Sequence, residues 1–478
     1  MKSERVQKRT ATKAAVAKQR SYNEVVEYLD THWTSNQNDN SFSCIKQLDK
    51  ALGLVSSKVD VVLLRGSNGK SLTAHFAAKL LKEEGLTTGI LQDPHILTYN
   101  ERLHLNGDLI SNRAFTDLAN KVIGVAEANG LEANSLDLLT MMALVHFSDN
   151  NIDVALIEVG HEGNMHPAHI CTPKIVALTR VTDDNGMQGN RADEARIREH
   201  LATIKAGVHV VSADQGKLNL QLMQTVTEEQ GGTWVMPIRK LAPLPYPFEQ
   251  LHGRCAALAE RIAHIYVNSF ANSDAIIVES SLLTKKKGQR GRPTLEAKRQ
   301  AEMHPRRTLE QFWKDSLSTL PGRFQLLDKE KPSILLDNAD DLDAFQNLLL
   351  GIRLLHYQRP LKGLSLIIGN NNPCLNTPEF LKLLRYFFKK TSGNVFVYEA
   401  QPTAANTRGQ TWDIETIANE IRNMKVKTVP KKSFAEAFEA ARKTVDERHG
   451  LVVATGSAEV VADYWHHKGI KKTQQADS

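Results

Sequence analysis

The sequence predicts an α/β protein in two parts, a mostly parallel sheet covered by helices and, after it, a second α/β domain. Three observations predict this. Short apolar runs alternate with long helix-compatible stretches from Tyr22 to about Gly207, the pattern of parallel βαβ units buried on both faces. A second alternating block begins at Pro332, beyond a basic interruption. Between them, Pro321-Gly322 marks a turn between units.

The strands of the first part are read as VDVVLL (59–64), TTGILQ (87–92), IDVALIEVG (152–160) and KIVALTRV (174–181), with VHVVSA (208–213) continuing the sheet. Those of the second are PSILLDNA (332–339), GLSLIIGN (363–370), NVFVYEA (394–400) and LVVATGS (451–457). With 478 residues, 41% of them hydrophobic and 24% charged, the chain is globular, which excludes disordered, collagenous and coiled-coil classes. No apolar run reaches the roughly 18 residues a membrane-spanning helix needs, so no membrane role is expected. Cys44, Cys171, Cys255 and Cys374 lack C-x-x-C spacing and fit neither a disulfide framework nor a structural zinc site, which points to a reducing compartment, the cytoplasm.

The net charge of +6 is local in origin. Residues 1–20 contribute +6 and residues 285–307 contribute +7, so the remainder carries −7 and the folded body is mildly acidic. Residues 1–20 are expected to be a flexible basic tail, with a transit peptide as the alternative. Residues 284–308 are expected to be a basic insertion or linker. Within it, Arg290-Gly291-Arg292-Pro293 resembles the core of an AT-hook, whose arginines enter the narrow minor groove. A single four-residue match with few aromatics around it is more simply a solvated loop, so nucleic acid is not the expected partner.

The chemistry begins at VVLLRGSNGKSLTAHFAAKLL. A buried strand runs into Gly66-Ser67-Asn68-Gly69-Lys70-Ser71 and then into a helix with Ala74, Ala77, Ala78 and Leu81 on its apolar side. Glycines let successive N–H groups turn inward on an anion, the helix adds its positive end, and lysine neutralises terminal phosphate charge. Leu64 stands where the usual G-x-x-x-x-G-K-[ST] has its first glycine, so this is a shorter G-x-x-G-K-S phosphate loop. Asp93 follows the next strand, where open α/β sheets place ligand groups. Together with the Ser71 hydroxyl it suits Mg2+, which prefers oxygen ligands. His95, Tyr99, Asn100, Glu101 and Arg102 then form a polar loop. Glu158 ends the strand after that, a metal-ligand or water-orienting position.

The combination GSNGKS, DPHILTYNERLHLNG, NSLDLLTMMALVHF, LIEVGHEGN, IKAG, PGRF, ILLDNADD and VVATGS, in this order over residues 22–465, resembles the folylpolyglutamate synthase/dihydrofolate synthase family, relatives of the Mur ligases. The resemblance implies an ATP-binding central domain over 21–283, a Rossmann-like ligase domain over 309–478, and an active site between them. It implies that ATP and Mg2+ drive an amide ligation in which a carboxylate is phosphorylated and an amine, here L-glutamate, displaces phosphate. By motif position, Gly66, Ser67, Asn68, Gly69, Lys70 and Ser71 bind ATP, helped by Arg323 of PGRF and Asp337. Ser71, Asp93, Glu158, Asn185 and Lys205 hold metal, Lys205 matching a lysine carboxylated in many members. Lys70, Lys205, Arg323 and Asp337 are the expected catalytic residues, and His95, Tyr99, Asn100 and Arg102 are expected near a folate-type substrate. The chain is expected to act as a monomer.

The sequence also departs from the family. Asp93 replaces a serine, and Asn185 a histidine. The family's D-G-A-H-N-P reads Asp337-Asn338-Ala339-Asp340-Asp341-Leu342, and its D-K-D reads Asn370-Asn371-Asn372. A divergent active ligase is therefore the leading expectation. The alternatives are a catalytically weakened ATP-binding homologue, a Mur-type peptide ligase, against which the PHILTYNER loop argues, and a nucleotide-sensing or nucleic-acid-associated protein using the basic arm.

Overall fold

Each of the nine apolar runs forms a strand, because each is buried on both faces and has its backbone groups paired on both sides. The computed structural model describes residues 18–33, 39–160, 165–182, 194–213, 215–237, 248–271, 320–369, 377–403 and 413–471, with the backbone alone at 39–41 and 248–251. The tail over 1–17, the insertion 284–308, Asn185 and Asn370-Asn371-Asn372 lie outside these residues.

The first sheet contains β1 (Asp60–Arg65), β2 (Thr88–Leu91), β3 (Leu103–Leu105), β4 (Asp108–Leu109), β5 (Val154–Glu158), β6 (Ile175–Leu178), β7 (His209–Ser212) and β8 (Thr233–Val235). Its order is β4-β3-β2-β5-β1-β6-β7-β8. Five neighbouring pairs, from β2–β5 to β7–β8, run parallel, and the β3–β4 hairpin adds an antiparallel edge. That hairpin turns at Asn106-Gly107, both at positive φ, the dipeptide that a tight two-residue turn favours. The second sheet contains β9 (Gln325–Leu327), β10 (Ser333–Asp337), β11 (Leu364–Gly369), β12 (Asn394–Tyr398), β13 (Lys427–Pro430) and β14 (Leu451–Thr455), in the order β13-β12-β11-β14-β10-β9. Only β9 runs antiparallel to its neighbour.

Alternation along β1 explains why both faces are covered. Val61 and Leu63 face one core, with Phe115, Met141 and Phe147, while Val62 and Leu64 face the other. The Lys70–Glu83 helix is buried along most of its length because it lies between that second face and the Phe248–Ser269 helix. Two further cores cover the second sheet, and one of them takes in Ile96 from the loop after β2.

This topology sets the site. In the register, Leu64 lies opposite Glu158 and Arg65 opposite Leu178, so the C-terminal ends of β1, β5 and β6 converge. Ligands of open α/β sheets bind outside such ends.

Candidate active site

The loop after β1 is built on two glycines whose side-chain positions are taken. Gly66 has φ +119°, and a Cβ there would stand 2.5 Å from Thr179 Oγ1 and 2.8 Å from the Arg180 carbonyl oxygen. Gly69 has φ +92° and begins the Lys70–Glu83 helix, with Cys255 Sγ 2.8 Å from its would-be Cβ. Ser67 N–H donates to the Arg180 carbonyl at 2.6 Å, and Thr182 donates to Ser67 Oγ from both its N–H and its hydroxyl, which ties the loop to the end of β6. Lys70 is 8% exposed, and its ammonium donates to the carbonyls of Gly66 and Ser67 at 2.9 and 3.1 Å. A helix N-terminus, a glycine cradle and a lysine at one point can hold phosphate oxygens.

Ser71, one residue on, donates to Glu158 Oε2 at 3.1 Å and accepts from Arg323 Nη2 at 2.8 Å. Arg323 comes from the turn before β9, so this hydroxyl joins the two sheets. Glu158 is 1% exposed and its Oε1 has no hydrogen-bond partner. Burial pushes its carboxyl up to about 7, against the pull of Arg323, Lys70 and the Ser71 hydroxyl. Asp337, at the end of β10, accepts from the N–H groups of Phe324 and Ala339 at 2.8 and 3.0 Å and is likewise pushed up to about 7 by burial.

A cavity of about 270 Å3 lies between the sheets, lined by Lys70, Ser71, Asp93, Glu158, Arg323 and Asp337 among others. The orphaned oxygen of Glu158 beside the Ser71 hydroxyl fits a hard cation. Among the described residues, no three carboxylate, imidazole or thiol groups are close enough to hold a metal by themselves. A cation there would complete its shell with water or phosphate oxygens, which is how Mg2+ usually sits in phosphate-transfer sites.

The other expected site residues are placed differently. Asp93 lines the cavity but pairs with Arg102. His95, Tyr99, Asn100 and Arg102 are not among the cavity's lining residues; their polar atoms bond within the loop and to Tyr22, Asp30 and Ile110. Arg102, 1% exposed, donates to Asp93 and to His95 Nδ1 and stacks over Trp33. Tyr99 donates to Asp30, and Asn100 accepts from Tyr22 and donates to the Ile110 carbonyl. Burial, with Arg102 beside it, holds His95 well below the usual imidazole range. Lys205 stands on an exposed turn between the Glu194–Leu201 helix and β7, outside the cavity lining. Sequence reasoning missed Arg180, His252, Arg254 and Asn347, which do line it. Arg180 ends KIVALTR, so the strand-end rule that picked out Glu158 would have found it.

No family model matches the chain. Among curated proteins, the dihydrofolate synthase/folylpolyglutamate synthase of Bacillus subtilis (strain 168) is 25% identical over 319 residues, covering 64% of this chain and 70% of that protein. Folylpolyglutamate synthase of Lacticaseibacillus casei is 25% identical over 209 residues, covering 42% of this chain and 48% of that one. The solved structure of Mycobacterium tuberculosis folylpolyglutamate synthase complexed with ADP superposes with a TM-score of 0.70 at 16% identity, covering 94% of this chain and 98% of that chain. The chain is therefore similar in sequence to dihydrofolate synthase/folylpolyglutamate synthases and shares the fold of a folylpolyglutamate synthase. The same fold is seen in E. coli FolC in complex with DHPP and ADP, which superposes at a TM-score of 0.68 with 18% identity over 94% of this chain and 98% of the other. The shared fold spans both sheets.

Proposed function

We propose that this chain is an ATP-dependent amide ligase that adds L-glutamate to a folate or dihydropteroate carboxylate through an acyl phosphate. The observation that carries this is the Arg323–Ser71–Glu158 chain of hydrogen bonds, which sets a guanidinium, a hydroxyl and a buried carboxylate beside the phosphate loop at the floor of one cavity. Lys70 and the first N–H groups of the Lys70–Glu83 helix hold the β- and γ-phosphates. Ser71 and Glu158 would hold Mg2+, which when bound would offset the negative charge of a phosphoryl group. Arg323 reaches across from the second sheet to the same oxygens as a planar two-pronged donor, and Asp337, pinned by two N–H groups, fixes the PGRF turn that carries Arg323. Water is kept away from the acyl phosphate by closure of the sheets over this floor.

Relatives support the substrates: one structure holds DHPP and ADP, and another holds Mn, AMPPNP and L-glutamate. The oxygen donor set favours Mg2+ as the ion, and the free thiols of Cys44, Cys171 and Cys255 among the described residues suit the cytoplasm. On this reading the working domains are 21–283 and 309–478, joined through the basic segment 284–308, and the chain acts as a monomer without a nucleic-acid partner. The placement of Lys205 outside the cavity lining favours a second reading, an ATP-binding homologue with weakened ligation. An ADP-release assay with dihydropteroate or tetrahydrofolate plus glutamate separates the two. Glutamate-dependent ADP release is expected; ATP binding without it would establish the weakened homologue.

A further inference from the structure

The tip of the phosphate loop is fastened to the second sheet by contacts that the proposed chemistry does not use. Asn68 Nδ2 donates to Oδ2 and Oδ1 of Asp341 at 2.9 and 3.1 Å and to Oδ2 of Asp343 at 3.3 Å. Asp341 is also the N-cap of the Leu342–Gln358 helix, accepting from Ala344 N–H at 2.8 Å. Asp343, its side chain 2% exposed, pairs with Arg180 at 2.7 Å. The Arg180 carbonyl accepts from Ser67 N–H, so the path runs from the loop through two carboxylates and a guanidinium back to the loop.

Arg323–Ser71 and this circuit are separate polar bridges between the two sheets, but their charges differ. Arg323 brings a cation to the loop, as a phosphate ligand needs. Asp341 and Asp343 bring two carboxylates, which can accept hydrogen bonds but offer none to a phosphate; Arg180 pairs with Asp343, and Arg254 lies within its electrostatic reach. Asp341 also lies in the electrostatic reach of Lys70. A triphosphate entering the cradle meets this negative charge at close range, where little water screens it.

We propose that Asp341 and Asp343, held by Arg180, form a latch that keeps the phosphate loop shut against the second sheet and lets go of Asn68 when an anionic nucleotide enters. The latch rests on the nucleotide reading of the site. Its role is to set the resting closure of the cavity, so that the loop is released only by a ligand whose phosphates compete for Asn68 and Lys70.

The test compares the full chain with Asp341→Asn/Asp343→Asn, with Arg180→Gln and with the three changes combined, each shown to be folded by circular dichroism. Asparagine keeps the helix cap and the size of both side chains while removing their charge. Calorimetric binding of AMPPNP with Mg2+ should be about tenfold tighter in the double variant, the effect of losing roughly one charge-assisted hydrogen bond. It should be weaker in Arg180→Gln, which removes the ion pair to Asp343, and recover in the triple variant. Without nucleotide, small-angle scattering should give the double variant a larger radius of gyration than the parent. Unchanged or weaker AMPPNP binding together with an unchanged radius would overturn the latch. The scattering arm uses no nucleotide, so failure of the parent chain to bind AMPPNP would count against the nucleotide reading and leave the latch to be judged by its radius.

Discussion

Arg323 donates a hydrogen bond of 2.8 Å to the hydroxyl of Ser71, at the start of the helix that follows the phosphate loop. Ser71 passes its own proton toward Glu158, so one hydroxyl connects a cation of the second half of the chain to a buried carboxylate of the first. A ligand placed between them would be touched from both sheets.

Arg323→Ala should therefore damage turnover far more than folding. The loss of a preorganised donor to a transferring phosphoryl group is expected to lower kcat/KM by about 10²- to 10³-fold. Arg323→Lys should recover little, since an ammonium cannot reproduce the planar fork. Steady-state ADP release, set beside thermal midpoints within a few degrees of the parent, checks this; a lysine variant with full activity would contradict it.

Glu158 gives a prediction with a sign. Its carboxyl lies at about 7 in the folded chain against an ordinary 4.5. Below 4.5 it is protonated whether folded or not, and its contribution to stability is fully present. Between 4.5 and 7 the folded state keeps a proton that the unfolded state gives up, so this contribution is lost as pH rises through 7, by on the order of 3 kcal/mol. Glu158→Gln removes the effect. In chelator, the variant's unfolding midpoint relative to the parent should rise from pH 4.5 to 7.5, and Mg2+ should restore the parent alone at the upper end. A difference that does not change with pH would refute the assignment.

Gly69→Ala should cost about 1–3 kcal/mol, from a φ of +92° and from a Cβ 2.8 Å from the Cys255 sulfur. Adding Cys255→Ala relieves the second cause only. Denaturant unfolding of the two variants should show partial recovery, and full recovery would mean that the positive φ is not strained.

Ile96 lies in the loop after β2 yet is buried in the core of the second sheet, where its Cδ1 is 3.1 Å from the would-be Cβ of Gly322. Ile96→Ala should destabilise the protein by about 2–4 kcal/mol and also lower kcat/KM, because the cavity it opens lies beside the turn bearing Arg323. Unfolding curves and the same ADP assay measure both effects; unchanged values in both would show that the loop does not brace the two halves.

The loop's role illustrates what could and could not be read from sequence. The nine buried strands were legible because residues buried on both faces leave continuous apolar runs, and Glu158 was legible because a carboxylate ending such a run is costly without a use. Gly66 and Gly69 announced their positive φ through the G-x-x-G-K-S spacing. The polar residues of PHILTYNER were read as substrate contacts, but their partners lie far along the chain: Asp30 for Tyr99, Tyr22 for Asn100 and Trp33 for Arg102. No local pattern reveals such pairings. The edge strands β8, β9 and β13 are too short and too exposed on one side to leave an apolar run, and Asn68 meets Asp341 across 273 positions. Motif order brought Lys205 into the expected site, but motif order carries no distance, and the turn it occupies is solvated.

Calorimetric titration of the full chain and of Lys70→Ala with ATP and Mg2+ tests the central claim most directly. The account predicts saturable binding near one nucleotide per chain in the parent, weakened at least tenfold, about 1.4 kcal/mol, in the variant. A parent that takes up no ATP, or a variant that binds as well as the parent, would contradict it.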